Sequence, residues 1–119
     1  MRFEFETEDR EIIDFYDKNA HLEKLSEELD ELKQAISWYR IAISEPFKEN
    51  KTYRKRATAR FLEEFADVAI KMRHVYEKII RPSRTDSEMC NLFEKYKLAR
   101  QMVRMGLRDE SFGSSKKKN

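Results

Sequence analysis

Glycine and proline, the residues that most often interrupt regular structure, are scarce in this chain. It has 2 Gly and 2 Pro among 119 residues, while 40% of its residues are charged. A chain rich in Glu, Lys, Arg and Leu favours helices, and so few turn residues leave room for few connections. We therefore predict an all-α protein: an antiparallel bundle of three long helices plus a short N-terminal helix, in a single domain spanning residues 1–108.

Cap residues and apolar periodicity set the predicted limits of the helices. The second and third helices carry apolar stripes of helical spacing, typical of a face turned toward a core. Residues 109–119 form a polar, basic tail that we predict to be flexible. The four predicted helices run from Thr7 to about Lys18, from Asn19 to about Ser44, from about Thr52 to Ile80, and from Thr85 to a stop near Gly106.

Two short acidic segments lie within these apolar patterns, at residues 27–31 (EELDE) and 63–67 (EEFAD). Residues three apart lie on one helix face, so each segment presents a pair of carboxylates in one direction. If the second and third helices pack together, the two pairs meet in one groove. Oxygen ligands of this kind suit Mg²⁺ or Mn²⁺. The predicted metal ligands are Glu28, Glu31, Glu64 and Asp67.

The net charge of +2 is unevenly distributed along the chain. Residues 1–45 carry 13 Asp and Glu against 6 Lys and Arg, and the other 74 residues carry 10 against 19. This distribution suits carboxylate-held metal facing an anionic ligand, and it equally suits acidic and basic helices that pack as neighbours. A nucleic-acid partner is not expected, because such proteins usually gather their basic residues on one face.

The number of cysteines and the N-terminal segment restrict the classes of protein to which the chain can belong. Cys90 is a lone cysteine, so the chain has neither a disulfide framework nor a Cys/His zinc pattern. The charged start, Met1 to Glu4, resembles neither a signal peptide nor a membrane span. We therefore expect a cytoplasmic protein that does not enter a membrane.

The two acidic segments resemble the signatures of the MazG-like all-α nucleoside triphosphate pyrophosphohydrolases. Residues 24–32 (KLSEELDEL) are similar to the first signature and residues 62–68 (LEEFADV) to the second, while residues 97–100 (KLAR) are similar to a basic stretch on the following helix. The resemblance spans about residues 19–104. It implies the same four metal ligands, Mg²⁺ or Mn²⁺ as cofactor, and a homodimer or homotetramer. The basic stretch 53–60 has no counterpart in it.

The implied reaction is hydrolysis of a nucleoside or deoxynucleoside triphosphate to the monophosphate and pyrophosphate. Glu27 or Glu63 would then orient the attacking water, and Trp38 would stack on the base. Cationic side chains would bind the phosphate oxygens that the metal leaves free. The candidates for this role are Lys24, Lys71, Lys97 and Arg100.

Two other hypotheses remain at this stage. One is a non-catalytic helical adaptor that binds a protein or nucleic acid through its charged faces, and such an adaptor has no need for the four carboxylates to converge. The other is a related helical pyrophosphatase that acts on a phosphoribosyl nucleotide intermediate.

Overall fold

The computed structural model describes residues 1–45 and 47–107, and every regular element in those ranges is helical. The all-α prediction is therefore confirmed. The predicted tail at 109–119 and the domain limit at 108 lie outside the described residues. The elements are α1 (Thr7–Phe15), α2 (Lys18–Ala42), a short 3₁₀ turn (Phe47–Glu49), α3 (Lys51–Val75), a π-helical segment (Tyr76–Ile80) and α4 (Arg84–Arg104).

The helices begin slightly earlier than predicted, because a different polar residue caps each of them. The Asp17 side chain caps α2 by accepting a hydrogen bond from the Ala20 amide at 2.8 Å. Ser83 caps α4 in the same way, accepting from the Asp86 amide at 3.1 Å. Asp, Asn, Ser and Thr are all favourable caps, so neighbouring candidates cannot be ranked by residue type. The predicted caps lie inside the first turn of their helices: Thr7, Asn19 and Thr85.

Helices α2 and α3 form the main packed pair, and alanine side chains lie at its centre. Ala35 and Ala42 of α2 and Ala57 of α3 are buried. Contacts pair early α2 residues with late α3 residues, as between the rings of His21 and His74, and late with early, as between Tyr39 and Phe61. The two helices are therefore antiparallel, and the small alanine side chains allow them a close approach.

Much of the predicted apolar stripe of α2 faces outward in the single chain. Residues spaced seven apart are each between 38% and 49% exposed: Leu22, Leu29, Ile36 and Ile43. Leu25 and Leu32 of the same stripe are half-buried, and the buried alanines occupy the centre of the helix pair. On α3, Val68 and Val75 are buried, whereas Phe65 and Met72 are exposed.

The chain divides into two compact units. Phe3–Pro82 contains α1, α2, α3 and the π-helical segment, and the other unit joins Met1–Arg2 to the chain from Ser83 onward. Within the second unit, the N-terminal ammonium lies 3.2 Å from Glu94 of α4. In the part of the chain that the structure describes, no helix is long and apolar enough to cross a membrane.

Candidate metal centre

Packing of α2 against α3 brings carboxylates from the two acidic segments together. Ligand oxygens of Glu28 on α2 and of Glu64 and Asp67 on α3 all lie within 4.8 Å of one another. Glu31 falls outside this group, but it lies close enough to Glu28 and Glu64 to raise the pKa of both. We call these four residues the acidic cluster, and they are the four predicted metal ligands.

Two oxygens of the acidic cluster are buried without a hydrogen-bond partner among the described residues. They are Oε1 of Glu28 and Oε1 of Glu64. Glu64 is only 8% exposed and Glu28 is half-buried, whereas Glu31 and Asp67 are exposed. A buried carboxylate oxygen without a donor is unfavourable, and a bound cation is one way to compensate it.

Burial and mutual repulsion both raise pKa values in the acidic cluster. Burial is the main cause for Glu28, and the negative charges of Glu31, Asp67 and Glu64 raise its pKa further. Burial also raises the pKa of Glu64, with Glu31 as the next contributor, while the positive charge of Arg60 opposes the rise. An added positive charge would stabilise the ionised form of carboxyl groups whose pKa values are raised in this way.

Arg60 supplies the positive charge that the described residues place beside Glu64. Its Nε donates a hydrogen bond to Oε2 of Glu64 at 3.0 Å, one helical turn away on α3. The guanidinium carbon also lies 5.3 Å from the centre of the Trp38 ring on α2. Arg60 therefore links the acidic cluster to the aromatic side chain predicted to bind the base.

A cavity of about 380 Å³ opens beside this arginine, between α2 and the start of α3. It is lined by Trp38, Tyr53, Arg56, Ala57 and Arg60, and we call it the Trp38 cavity. Tyr53, Arg56 and Arg60 were not among the predicted site residues. Their positions at 53, 56, 60 and then 64 follow one helix face in steps of three or four. That spacing was visible in the sequence, within the stretch that the family resemblance leaves unmatched.

The other predicted site residues occupy varied surroundings. Glu27 and Glu63, the predicted water-orienting residues, are exposed on α2 and α3. Nζ of Lys24 lies 4.5 Å from the centre of the Tyr16 ring, so a cation–π contact holds this side chain toward the start of α2. Lys71 is half-buried near His74 and acts to lower its pKa.

The two predicted phosphate-binding residues of α4 belong to the other compact unit. Lys97 and Arg100 are both exposed. The guanidinium carbon of Arg100 lies 5.7 Å from the centre of the Tyr96 ring on the same helix. Their predicted role in binding phosphate therefore stays a prediction.

A second polar centre, separate in residues from the acidic cluster, lies where α1 meets α3. Nε2 of His74 lies 2.7 Å from Oδ1 of Asp9, and Arg73 donates to the same oxygen from Nε at 3.0 Å. The other carboxylate oxygen accepts the Glu6 amide at 2.8 Å. These hydrogen bonds outweigh the effect of burial and lower the pKa of Asp9 from 3.8 to about 2.

The two histidines of the chain lie within this buried centre. His21 and His74 are at most 1% exposed, and their ring centres are 5.9 Å apart. Burial lowers the pKa of His74, although its bond to Asp9 opposes the change. Nε2 of His74 contacts Asp9 and Nε2 of His21 lies 3.1 Å from the Ile13 carbonyl oxygen.

The donor set of the acidic cluster fits a hard divalent cation. All its ligand atoms are carboxylate oxygens, which Mg²⁺ and Mn²⁺ prefer, and the described residues add no sulfur or imidazole ligand to the group. Comparison of the chain with models of protein families, with curated proteins and with solved structures finds no match in any of the three.

Proposed function

We propose that this protein is a metal-dependent nucleotide pyrophosphohydrolase, which cleaves a nucleoside or deoxynucleoside triphosphate to the monophosphate and pyrophosphate. The observation that carries the proposal is the convergence of Glu28, Glu64 and Asp67 from two helices, with two buried oxygens left without donors. Glu31 completes the proposed ligand set. Carboxylates held this close repel one another, so a bound cation would stabilise the arrangement.

Divalent cations bound there would neutralise the triphosphate, activate a water and stabilise the leaving pyrophosphate. The water oxygen forms a bond to the α-phosphorus, and the bond from that phosphorus to the bridging oxygen breaks. The water proton passes to a carboxylate that is not fully committed to coordination. Glu27 and Glu63 are the candidates for this role, because they adjoin the ligands in sequence and are exposed to solvent.

The remaining phosphate charge requires cationic side chains of the protein. Lys71 lies one helical turn beyond Asp67 and is half-buried, so it is the best placed of the predicted lysines within the unit that holds the acidic cluster. We retain Lys24, Lys97 and Arg100 as candidate phosphate contacts. Trp38 is retained as the base-stacking residue, since its indole lines the cavity next to Arg60.

A homodimer is part of the proposal, as is an antiparallel bundle that dimerisation completes. The exposed stripe Leu22, Leu29, Ile36 and Ile43 repeats every seven residues, which is the spacing of helices that associate side by side. Association through this stripe would remove four large apolar side chains from water, at a gain of about 25 cal/mol for each Å² buried.

A non-catalytic adaptor is the competing proposal, and the exposed apolar side chains would suit it as well as they suit a dimer. An adaptor, however, has no use for clustered carboxylates with raised pKa values. The two proposals differ in a measurable property, which is cation-dependent release of pyrophosphate.

The test is incubation of the purified protein with a panel of nucleoside triphosphates and Mg²⁺ or Mn²⁺, with pyrophosphate and phosphate measured separately. Glu64→Gln and Asp67→Asn should each lower pyrophosphate release by at least about tenfold to a hundredfold, the range observed when groups that merely support metal ligands are removed. Asp30→Asn is the matched control, because Asp30 is an exposed carboxylate of the first acidic segment.

Cation binding should be measured beside turnover, by calorimetry with Mn²⁺. Loss of both Mn²⁺ binding and turnover in folded Asp67→Asn, with both kept in Asp30→Asn, supports the proposal. If the wild-type protein binds no Mn²⁺ and releases no pyrophosphate from any nucleotide of the panel, the adaptor is the better account.

A further inference from the structure

We propose that the Trp38 cavity holds the nucleoside 5′-phosphate half of a nucleotide, and that Arg60 couples this cavity to the acidic cluster by exchanging Glu64 for the phosphate. The inference rests on the proposed function for its account of the reaction. The binding of a nucleoside monophosphate to the cavity can nevertheless be measured without any turnover.

The lining of the cavity combines two kinds of side chain that a nucleotide requires. Trp38 and Tyr53 offer aromatic faces for stacking with a base, and Arg56 and Arg60 offer guanidinium groups. Guanidinium groups donate paired hydrogen bonds that match the oxygens of a phosphate. The volume of about 380 Å³ lies within the usual range for small-molecule sites, about 300–1,000 Å³. An anionic ligand would complement the charge of Arg56, which is exposed.

The position of the cavity along α3 fits the point of cleavage. Arg60 precedes Glu64 by four residues, which is about 6 Å along the helix axis. A phosphate bound by Arg60 would therefore lie beside the acidic cluster, where cleavage at the α-phosphorus is proposed. Arg56 lies one turn further from the cluster, on the side of the cavity that Tyr53 lines. The nucleoside would thus extend away from the cations.

Arg60 has two competing partners in this arrangement. In the structure its Nε donates to Oε2 of Glu64, and this bond partly neutralises the cluster. A cation held by Glu64 would take over that neutralisation and repel the guanidinium. Arg60 would then be available to a phosphate in the cavity, which it already lines beside the Trp38 ring. Cation and nucleotide should therefore each strengthen the binding of the other, as linkage requires.

Trp38 provides a direct readout of the cavity, because it is the only tryptophan of the chain. Uridine monophosphate is the probe, titrated into the full-length protein with and without Mn²⁺, and excitation at the red edge of the indole band limits absorption by the base. Ribose 5-phosphate and uridine serve as comparison ligands, each lacking one half of the probe. Saturable quenching by the monophosphate, at lower concentrations than by either comparison ligand, is the expected result.

Two arginine variants distinguish nucleotide binding in the cavity from the coupling between nucleotide and cation. Arg56→Gln should weaken uridine monophosphate by on the order of tenfold, the effect of one lost charge-assisted hydrogen bond, and leave Mn²⁺ affinity unchanged. Arg60→Gln should weaken the nucleotide similarly, remove its dependence on Mn²⁺, and raise the affinity for Mn²⁺ because Glu64 loses its competing partner. Lys55→Gln is the control: it removes one positive charge from α3 at a residue that lines a different groove.

The outcomes distinguish this inference from the proposed function. If the protein hydrolyses no triphosphate but its fluorescence is quenched, and Arg56→Gln loses this quenching, nucleotide binding in the cavity is supported and the proposed hydrolase activity is refuted. Turnover with normal KM in Arg56→Gln, together with unchanged Trp38 fluorescence, would refute the cavity and leave the hydrolase. If Arg60→Gln binds Mn²⁺ more weakly than wild type, Arg60 supports the cluster and the exchange is wrong. Circular dichroism confirms that each variant is folded.

Discussion

Replacement of Asp9 by Asn should destabilise the fold, because the buried Asp9 carboxylate is in contact with three partners. Its carboxylate is bonded to the Glu6 amide, to Arg73 and to His74, and the residue is 3% exposed. These contacts join the start of α1 to the end of α3. An asparagine keeps the size of the side chain but lacks the charge that both basic partners compensate.

The expected magnitude follows from the pKa of Asp9, which the fold lowers from 3.8 to about 2. A lowering of this size corresponds to about 2 kcal/mol of stability when the carboxyl is ionised. For a chain of 119 residues, a loss of this size lowers the melting temperature by about 10 °C. Asp9→Asn should show that loss near neutral pH.

The pH dependence tests the same reasoning independently. The folded state holds the lower pKa, so this contribution is complete above the unfolded pKa of 3.8 and is lost as the pH falls toward about 2. By pH 3 the wild type should have lost about 1 kcal/mol of its advantage over Asp9→Asn. Urea unfolding followed by circular dichroism, at several values from about pH 5 to about pH 3, measures both free energies of unfolding.

A matched control comes from the same helix. Asp14 is exposed on α1, and Asp14→Asn should change the free energy of unfolding by no more than about 0.5 kcal/mol. If Asp9→Asn proves no more destabilising than Asp14→Asn, or if its deficit stays constant down to pH 3, the ionised Asp9 does not hold α1 against α3 and the reasoning is refuted.

Two other predictions concern the acidic cluster and the apolar stripe. Because the pKa values of Glu28 and Glu64 are raised, protons should displace Mn²⁺ as the pH falls, starting above the usual carboxyl pKa of 4.5. Calorimetry from pH 7 downward measures the Mn²⁺ affinity. An affinity that stays constant down to pH 4.5 contradicts the prediction. Leu29→Glu should convert the homodimer to a monomer, as measured by the molar mass from light scattering. Gln34→Glu makes the same charge change at an exposed position off the stripe and should leave the dimer intact. If the wild-type protein is a monomer, the dimer is removed from the proposal.

The pairing of carboxylates on each helix was predictable from the sequence because it depends on local geometry. A spacing of three places two side chains on one helix face, and the short connection between α2 and α3 makes the two helices neighbours. The contact of Arg60 with Glu64 depends on the same rule at a spacing of four. What lay within one or two turns of a helix could thus be inferred from residue positions alone.

The buried contacts of Asp9 with Arg73 and His74 could not be inferred in this way. Asp9 and His74 are separated by 65 residues, and neither lies in a pattern that indicates a partner. The π-helical segment Tyr76–Ile80 is equally absent from the periodicity, since one widened turn leaves the apolar spacing nearly unchanged. The exposure of Leu22, Leu29 and Ile36 could not be inferred for a related reason. Helical phase identifies an apolar face, but alanines on the adjoining face of α2 decide which side approaches α3.

The buried carboxylates of the acidic cluster and the buried carboxylate of Asp9 have opposite surroundings. Asp9 has a donor for each oxygen and a pKa below its usual range, as expected of a group that stabilises the fold. Glu28 and Glu64 each keep an oxygen without a donor and have pKa values above their usual range. Selection for stability alone would favour removal of such groups, because each is more favourable as a neutral side chain. Their presence together, on two neighbouring helices, is the physical argument for the proposal that the cluster binds a cation.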